Sequence, residues 1–251
     1  MKVVIIGSGN VATVLGRLIK NANHDIVQVF SRDIVHANLL ANELRCEATD
    51  SAAQITKTAG LYLFALSDTA LHDLGNTFHF GDKLVVHTAG SVSKDVFKNV
   101  SLHYGVLYPL QTLRKEIKVM SEIPLLADGN SDETLAAVVE FAKTISPVVY
   151  ETTDEQRYKL HVAAVVVNNF TNHLFALAAD YCKEEEVDFS MLLPLIDETV
   201  QRIHQYPLNE MQTGPAIRND TITLDKHFKW LSNYPKLKYI YVKLTESIIG
   251  R

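Results

Sequence analysis

The residues best placed to do chemistry stand at the amino end. Val3-Val4-Ile5-Ile6 is a short apolar, β-branched run. Gly7-Ser8-Gly9-Asn10-Val11-Ala12 follows at once, and Val14-Leu15-Gly16-Arg17-Leu18-Ile19 continues at helical spacing. Strand, G-x-G-x-x-A and helix in that order build a site for a diphosphate. Gly7 permits the tight turn, Gly9 lets the backbone approach the anion, and Ala12 lets the helix pack close to the strand. The free N–H groups and the positive dipole end of the helix then face the phosphates. The plain alternative is a glycine turn of another α/β fold that binds nothing.

The next strand end bears on which dinucleotide would bind. An acid there binds ribose hydroxyls, whereas a nearby Arg accommodates a 2′-phosphate. Phe30 is followed by Ser31-Arg32-Asp33. Ser31 stands where the acid is expected, and the planar fork of Arg32 suits a phosphate, so NADP is favoured. Asp33 on the ribose would restore NAD. Arg32 on the surface, with Asp33 merely capping the next helix, is the bland reading. Leu66, Ser67, Thr88 and Gly90, at later strand ends, complete the expected cofactor set.

A polar stripe is the candidate for proton chemistry. If Glu155–Lys183 is one helix, then Arg157, His161, Asn168 and Asn172 share a narrow sector at about 100° per residue. The rest of the segment is Val, Ala, Phe and Leu. His161 exchanges protons near neutral pH. Asn168, with Asn169 beside it, can orient a carbonyl, carboxylate or amide. A satisfied structural network between helices is the competing reading. Thr88 and Ser91, after His87, are placed to hydrogen-bond a substrate; Tyr108-Pro109-Leu110-Gln111-Thr112 is a further strand exit that can reach a cleft. Thr213 to Thr221 holds a Gly214-Pro215 turn, with Arg218 placed to hold an anionic group and Asp220 or Thr221 to cap the following helix. That stretch also reads as a braced loop.

The elements that must position these residues fall into two halves. Strand patterns run Val3–Ile6, Asp25–Phe30, Leu61–Leu66, Lys83–His87, Leu102–Tyr108, Ile123–Ala127 and Val148–Tyr150, with helices at Asp33–Arg45 and Asp132–Ser146. The alternation predicts an α/β fold with a doubly wound parallel sheet, whose ligands bind beyond the carboxyl strand ends. From about Asp154 only helical patterns remain: Glu155–Lys183, Ser190–His204 and Lys236–Ile249. The expected division is residues 1–151, a dinucleotide-binding domain, and 152–251, an all-helical substrate and dimerisation domain.

Composition excludes several classes. Charged residues make up 21% of 251, the net charge is −5 and no long basic run occurs, so nucleic acid and anionic membranes lack an electrostatic basis. The stretch Val162 to Ala179 carries Asn168, Asn169, Asn172 and His173; it is too polar for a membrane span and fits a helix buried inside protein. The apolar run at the amino end breaks at Gly7, unlike a signal peptide. Two well-separated cysteines, Cys46 and Cys182, suit a reducing cytosol. The ten histidines show no metal-ligand spacing, so no metal is expected.

Gly7–Ala12, Ser31-Arg32, His87–Ser91, Tyr108–Thr112, Lys159-Leu160-His161 through Asn169, and Thr213–Thr221 occur in a familiar order. In them the chain resembles a group of Rossmann-like proteins of undefined function, within the superfamily of 6-phosphogluconate dehydrogenase and pyrroline-5-carboxylate reductase. The resemblance covers nearly the whole chain. It implies an N-terminal NAD(P)-binding Rossmann domain, a helical C-terminal domain, a homodimer built through those helices, and a cleft between domains. Two departures stand out. The superfamily's hydroxyacid dehydrogenases carry Lys-x-x-x-Asn on the long helix, but Lys159 is followed four residues later by Ala163. The usual Arg-Gly-Asp is here Arg218-Asn219-Asp220. The resulting expectation is a cytoplasmic, NADP-dependent oxidoreductase acting on a small carbonyl, hydroxyacid or imine, with His161 moving the proton. The alternative is a non-catalytic dinucleotide-binding sensor or regulatory dimer.

Overall fold

The computed structural model describes residues 1–74, 77–117 and 122–250. The chain divides into two compact units, Met1–Val166 and Val167–Arg251.

The first unit is built on eight strands. These are β1 (Lys2–Ile6), β2 (Asp25–Phe30), β3 (Glu47–Thr49), β4 (Leu61–Phe64), β5 (Gly81–His87), β6 (Ser101–Pro109), β7 (Leu125–Gly129) and β8 (Val149–Glu151). Their order in the sheet is β3-β2-β1-β4-β5-β6-β7-β8. Neighbours run parallel throughout except at one step, where β7 pairs antiparallel to β6, with Val106 opposite Asp128 and Tyr108 opposite Leu126. The doubly wound α/β architecture expected from the alternation is present; the all-parallel sheet is not.

Both faces of the sheet are covered, which is why its strands are apolar at consecutive positions rather than at alternate ones. Val3 and Ile5 point into one cluster with α1 (Asn10–Asn21), α2 (Ile34–Leu44) and α4 (Asp132–Ile145). Val4 and Ile6 point into the other, rich in Tyr62, Phe64, Phe78, Phe80 and Phe97. The period-2 geometry of a strand divides one run of four residues between two cores. A short helix, α3 (Asp68–His72), follows β4.

Helix α5 (Asp154–Ala164) begins in a capping box: the Thr153 side chain accepts from the Gln156 N–H, and the Gln156 side chain accepts from the Thr153 N–H. It belongs to the first unit for its whole length. The helical run then continues through a π-helical segment, Val165–Phe170, into α6 (Thr171–Glu184). One uniform α-helix over Glu155–Lys183 is therefore not what forms. A π turn closes i→i+5 hydrogen bonds, so the 100° step that put Arg157, His161, Asn168 and Asn172 on one stripe does not hold across it.

The expectation of a helix buried inside protein also fails for this chain. By length and composition, Asp154–Glu184 suffices to cross a membrane, and none of its most apolar window is buried. The second unit continues with α7 (Leu193–Ile203), α8 (Thr221–Trp230) and α9 (Pro235–Ile249).

Candidate active site

The cofactor candidates gather at the carboxyl ends of the strands. Gly7 follows β1 with φ +122, and a Cβ there would lie 2.2 Å from the Ala65 carbonyl oxygen. Both facts demand glycine: the backbone angle disfavours any L side chain and the neighbouring strand leaves no room. The Gly7 N–H donates to the Phe30 carbonyl at 2.8 Å, tying the turn to the exit of β2. Gly9 is the N-cap of α1. It supplies no side-chain cap, and the first turn of α1 carries no acid. The helices α2, α3, α4 and α5 are all capped by a side chain, from Asp33, Ser67, Ser131 and Thr153. A Cβ built on Gly9 would meet nothing within 4 Å. The amino end of α1 thus keeps its orphan N–H groups and opens onto free space, which is what an anion needs there.

That space is a cavity of about 610 Å³ lined by Gly7, Ser8, Gly9, Ser31, Arg32, Leu66 and Ser67, among others. Seven of the residues singled out for the cofactor meet in it. Ser8 Oγ donates to Ser31 Oγ at 2.9 Å, bridging the ends of β1 and β2. Arg32 is exposed at the rim. Asp33 caps α2, accepting from Val35 N at 2.9 Å and His36 N at 3.2 Å. Its carboxylate is held below the usual range, first by the His36 N–H. Asn10 and Val11 form the first turn of α1, where Asn10 Oδ1 accepts from Lys115 N at 3.3 Å, and Ala12 is fully buried against the core. A larger cavity, about 760 Å³ beside Val14, Leu18, Ile123 and Ile145, carries none of the strand-end residues.

A second corner forms at the ends of β5 and β6. Tyr108 Oη and His161 Nδ1 are 3.0 Å apart, with the rings edge to face. Gly90 is packed against both: a Cβ there would lie 2.6 Å from His161 Nδ1 and 3.0 Å from Tyr108 Cζ. Burial raises the Tyr108 phenol above its ordinary pKa, so it is a neutral hydroxyl. Ser91 Oγ donates to Asp68 Oδ2, joining the loops after β4 and β5. Thr88 is buried, and its hydroxyl donates to the Phe64 carbonyl at 3.4 Å.

Beneath this corner lies an ion cluster. Arg157, 1% exposed, donates to Asp154 Oδ1 at 2.6 Å and to the Val92 carbonyl, and stands 3.6 Å from Asp128 Oδ2. Lys94 Nζ reaches Asp128 Oδ2 at 3.0 Å. Burial alone raises the Asp154 carboxyl, but donors from Ser93 and Arg157 outweigh it and hold it low. Arg157 is therefore an internal clamp, not a member of an open polar stripe. His87, fully buried beside this cluster, accepts from Ala89 N at 3.2 Å through Nδ1. Burial, reinforced by Arg157, pushes its pKa down to about 4.

Asn168 and Asn169 lie in the π-helical segment and are exposed. In the second unit, Arg218 is exposed, and Asp220 caps α8 by accepting from Thr223 N at 3.0 Å. Asn219 has φ +51. That left-handed conformation favours glycine and tolerates Asn, so Asn219 suits the backbone it occupies. The Tyr108–His161 pair and the Gly90 contact were beyond sequence reasoning except for one signal, the position of Tyr108 at a strand exit. Nothing in the spacing announced the burial of Arg157.

Residues 123–248 match the family described as domain of unknown function DUF2520. Residues 2–90 match the family described as NADP oxidoreductase coenzyme F420-dependent. A Bacteroides fragilis protein described as a "putative NADP oxidoreductase" is 39% identical; the match covers 100% of this chain and 98% of that one, with a TM-score of 0.92. A 1-pyrroline-5-carboxylate reductase from Streptococcus pyogenes is 15% identical over 100% and 99% of the two chains, TM-score 0.63. A reductive aminase from Aspergillus terreus, solved in complex with NADPH and ethyl-5-oxohexanoate, is 16% identical over 99% and 93%, TM-score 0.73. The last two share the fold. Among curated proteins there is no significant match.

Proposed function

The chain belongs to the family described as domain of unknown function DUF2520, and on that premise we propose that it is an NADP-dependent oxidoreductase acting on a small carbonyl, hydroxyacid or imine. One observation carries the reading: the uncapped amino end of α1, opening through Gly9 onto a cavity lined by the ends of β1, β2 and β4. The glycine cradle fits a dinucleotide. Main-chain N–H groups of Gly7 to Ala12 hold the diphosphate, and Arg32 holds the 2′-phosphate. With Asp33 committed to capping α2, the arginine is the group left to read that end of the ligand. Leu66 and Ser67 line its wall; Thr88 and Gly90 close the nicotinamide side. The nicotinamide supplies the hydride. The protein supplies binding, orientation and a proton, the last at His161. The protein acts in the cytoplasm as a homodimer joined through its C-terminal helices.

Fluorescence titration tests the foundation. NADPH binds at micromolar concentration; Gly9→Val weakens it at least about 100-fold, about 2.7 kcal/mol, while costing no more than about 1 kcal/mol in thermal unfolding. Arg32→Ala lowers affinity for NADPH about tenfold and leaves NADH unaffected. Absence of binding at high micromolar NADPH and NADH overturns the reading.

One observation favours a second reading, a non-catalytic dinucleotide sensor. Lys159 is exposed and its Nζ is paired with Glu155 Oε1 at 2.5 Å, while the position four residues on is Ala163. The superfamily's lysine–asparagine pair has no counterpart there. Tight NADPH binding without oxidation across oxo-acids, aldehydes and cyclic imines would favour the sensor.

A further inference from the structure

We infer that Tyr108 is a positioning residue that fixes the orientation and tautomer of His161. The neutral imidazole presents Nε2–H as a hydrogen-bond donor; once solvent has added a second proton at Nδ1, bonded to Tyr108 Oη, the ring gives up its Nε2 proton and is left as the neutral Nδ1–H form. The inference rests on the oxidoreductase reading and adds to it the residue that makes the histidine usable. A histidine can serve as an acid only if the correct nitrogen carries the proton, and the hydrogen bond made by the other nitrogen decides that. Tyr108 Oη lies 3.0 Å from Nδ1. Its phenol has one proton to give, and Nδ1 is an acceptor within its reach. Donation to Nδ1 leaves the His161 proton on Nε2. The same oxygen can accept from Nδ1–H once the ring is doubly protonated, so the pair keeps its bond in both charge states.

Two further contacts and the anchoring of the helix hold the ring in place. Gly90 packs against it where any side chain would collide with Nδ1. The rings of Tyr108 and His161 meet edge to face, 5.8 Å between centroids. One turn earlier on α5, Arg157 is locked to Asp154 and the Val92 carbonyl. The mount is rigid from strand, loop and helix together, as a general acid requires.

Long-range ¹H–¹⁵N spectra of the ¹⁵N-labelled full chain read the tautomer directly, with and without NADPH as the probe; His161→Gln assigns the signals. Expected for the wild type is a bare Nδ1 and a protonated Nε2. Tyr108→Phe removes the donor, and Gly90→Ala drives a methyl group into the ring. Each should shift the tautomer ratio at least about fivefold, and Tyr108→Phe should leave the NADPH titration unchanged. An Nδ1–H tautomer in the wild type, or an unaltered ratio in both variants, overturns the inference. If NADPH fails to bind the wild type while the tautomer is as expected, the oxidoreductase reading falls and the catalytic role of the pair falls with it.

Discussion

In Met1–Val166 the central strands bury their apolar runs: Val3 to Ile6 and Leu61 to Phe64 are each 0% exposed. In Val167–Arg251 the buried hydrophobic residues among those described are Cys182, Ala216, Leu224 and Leu231. Val167, Phe170, Leu195 and Trp230 stand more than half exposed. The first unit satisfies its own hydrophobic pattern; the second carries more apolar surface than its own helices cover. The proposed self-association through the C-terminal helices would cover such surface.

The sharpest test of this contrast is a matched pair of truncations. Phe64→Ala, in the core of the first unit, should cost about 3–5 kcal/mol in denaturant unfolding at every protein concentration. Phe170→Ala should cost little in dilute protein, but should lower the concentration dependence of the wild-type midpoint. A wild-type midpoint that does not move with concentration breaks the comparison.

A smaller effect probes the first unit's interior with pH. The His87 pKa is lowered from 6.5 to about 4. The unfolded chain takes up this proton as pH falls through 6.5, the folded chain only near 4. Stability from this site is complete above pH 6.5 and is lost between 6.5 and 4, by at most about 3 kcal/mol. His87→Asn should flatten that part of the profile, measured by unfolding at pH 7 and pH 4.5.

The smallest expected effect is where the two units should agree. Asp33→Ala and Asp220→Ala each remove a helix cap, and each should cost about 1 kcal/mol by thermal unfolding. Caps are local, so the contrast in burial should not reach them.

The amino acids announced the first unit well, because an apolar run bounded by Gly or a cap residue is a local signal. Asp25–Phe30 forms as read. Asp132 to Ile145 forms as a helix with Ser131 capping it, one residue short of the expected end. Glu47–Thr49 went unread: three residues hold no period. The direction of β7 went unread as well, since Leu125-Leu126-Ala127 is apolar on both faces whichever way it runs. Of the site, the glycine cradle was legible because its demands are backbone demands. The polar stripe was misread at two places. The π-helical segment breaks the assumed step, and Arg157 finds its acids on β7 and on its own first turn, the first a contact that tertiary structure alone creates.

The reversed strand has a consequence for reach. Because β7 and β8 both run against β6, the chain leaves β8 at the edge away from the dinucleotide cavity, and α5 must climb back. From Arg157 to His161 the helix rises about 6 Å. From Val106, level with Asp128, to Tyr108 the strand advances about 6.7 Å. Helix and strand thus work as two matched rulers: the arginine meets its acid at one graduation and the imidazole meets the phenol at the next. One residue inserted between them would turn the imidazole by about 100°, and the proton donor would leave its mark.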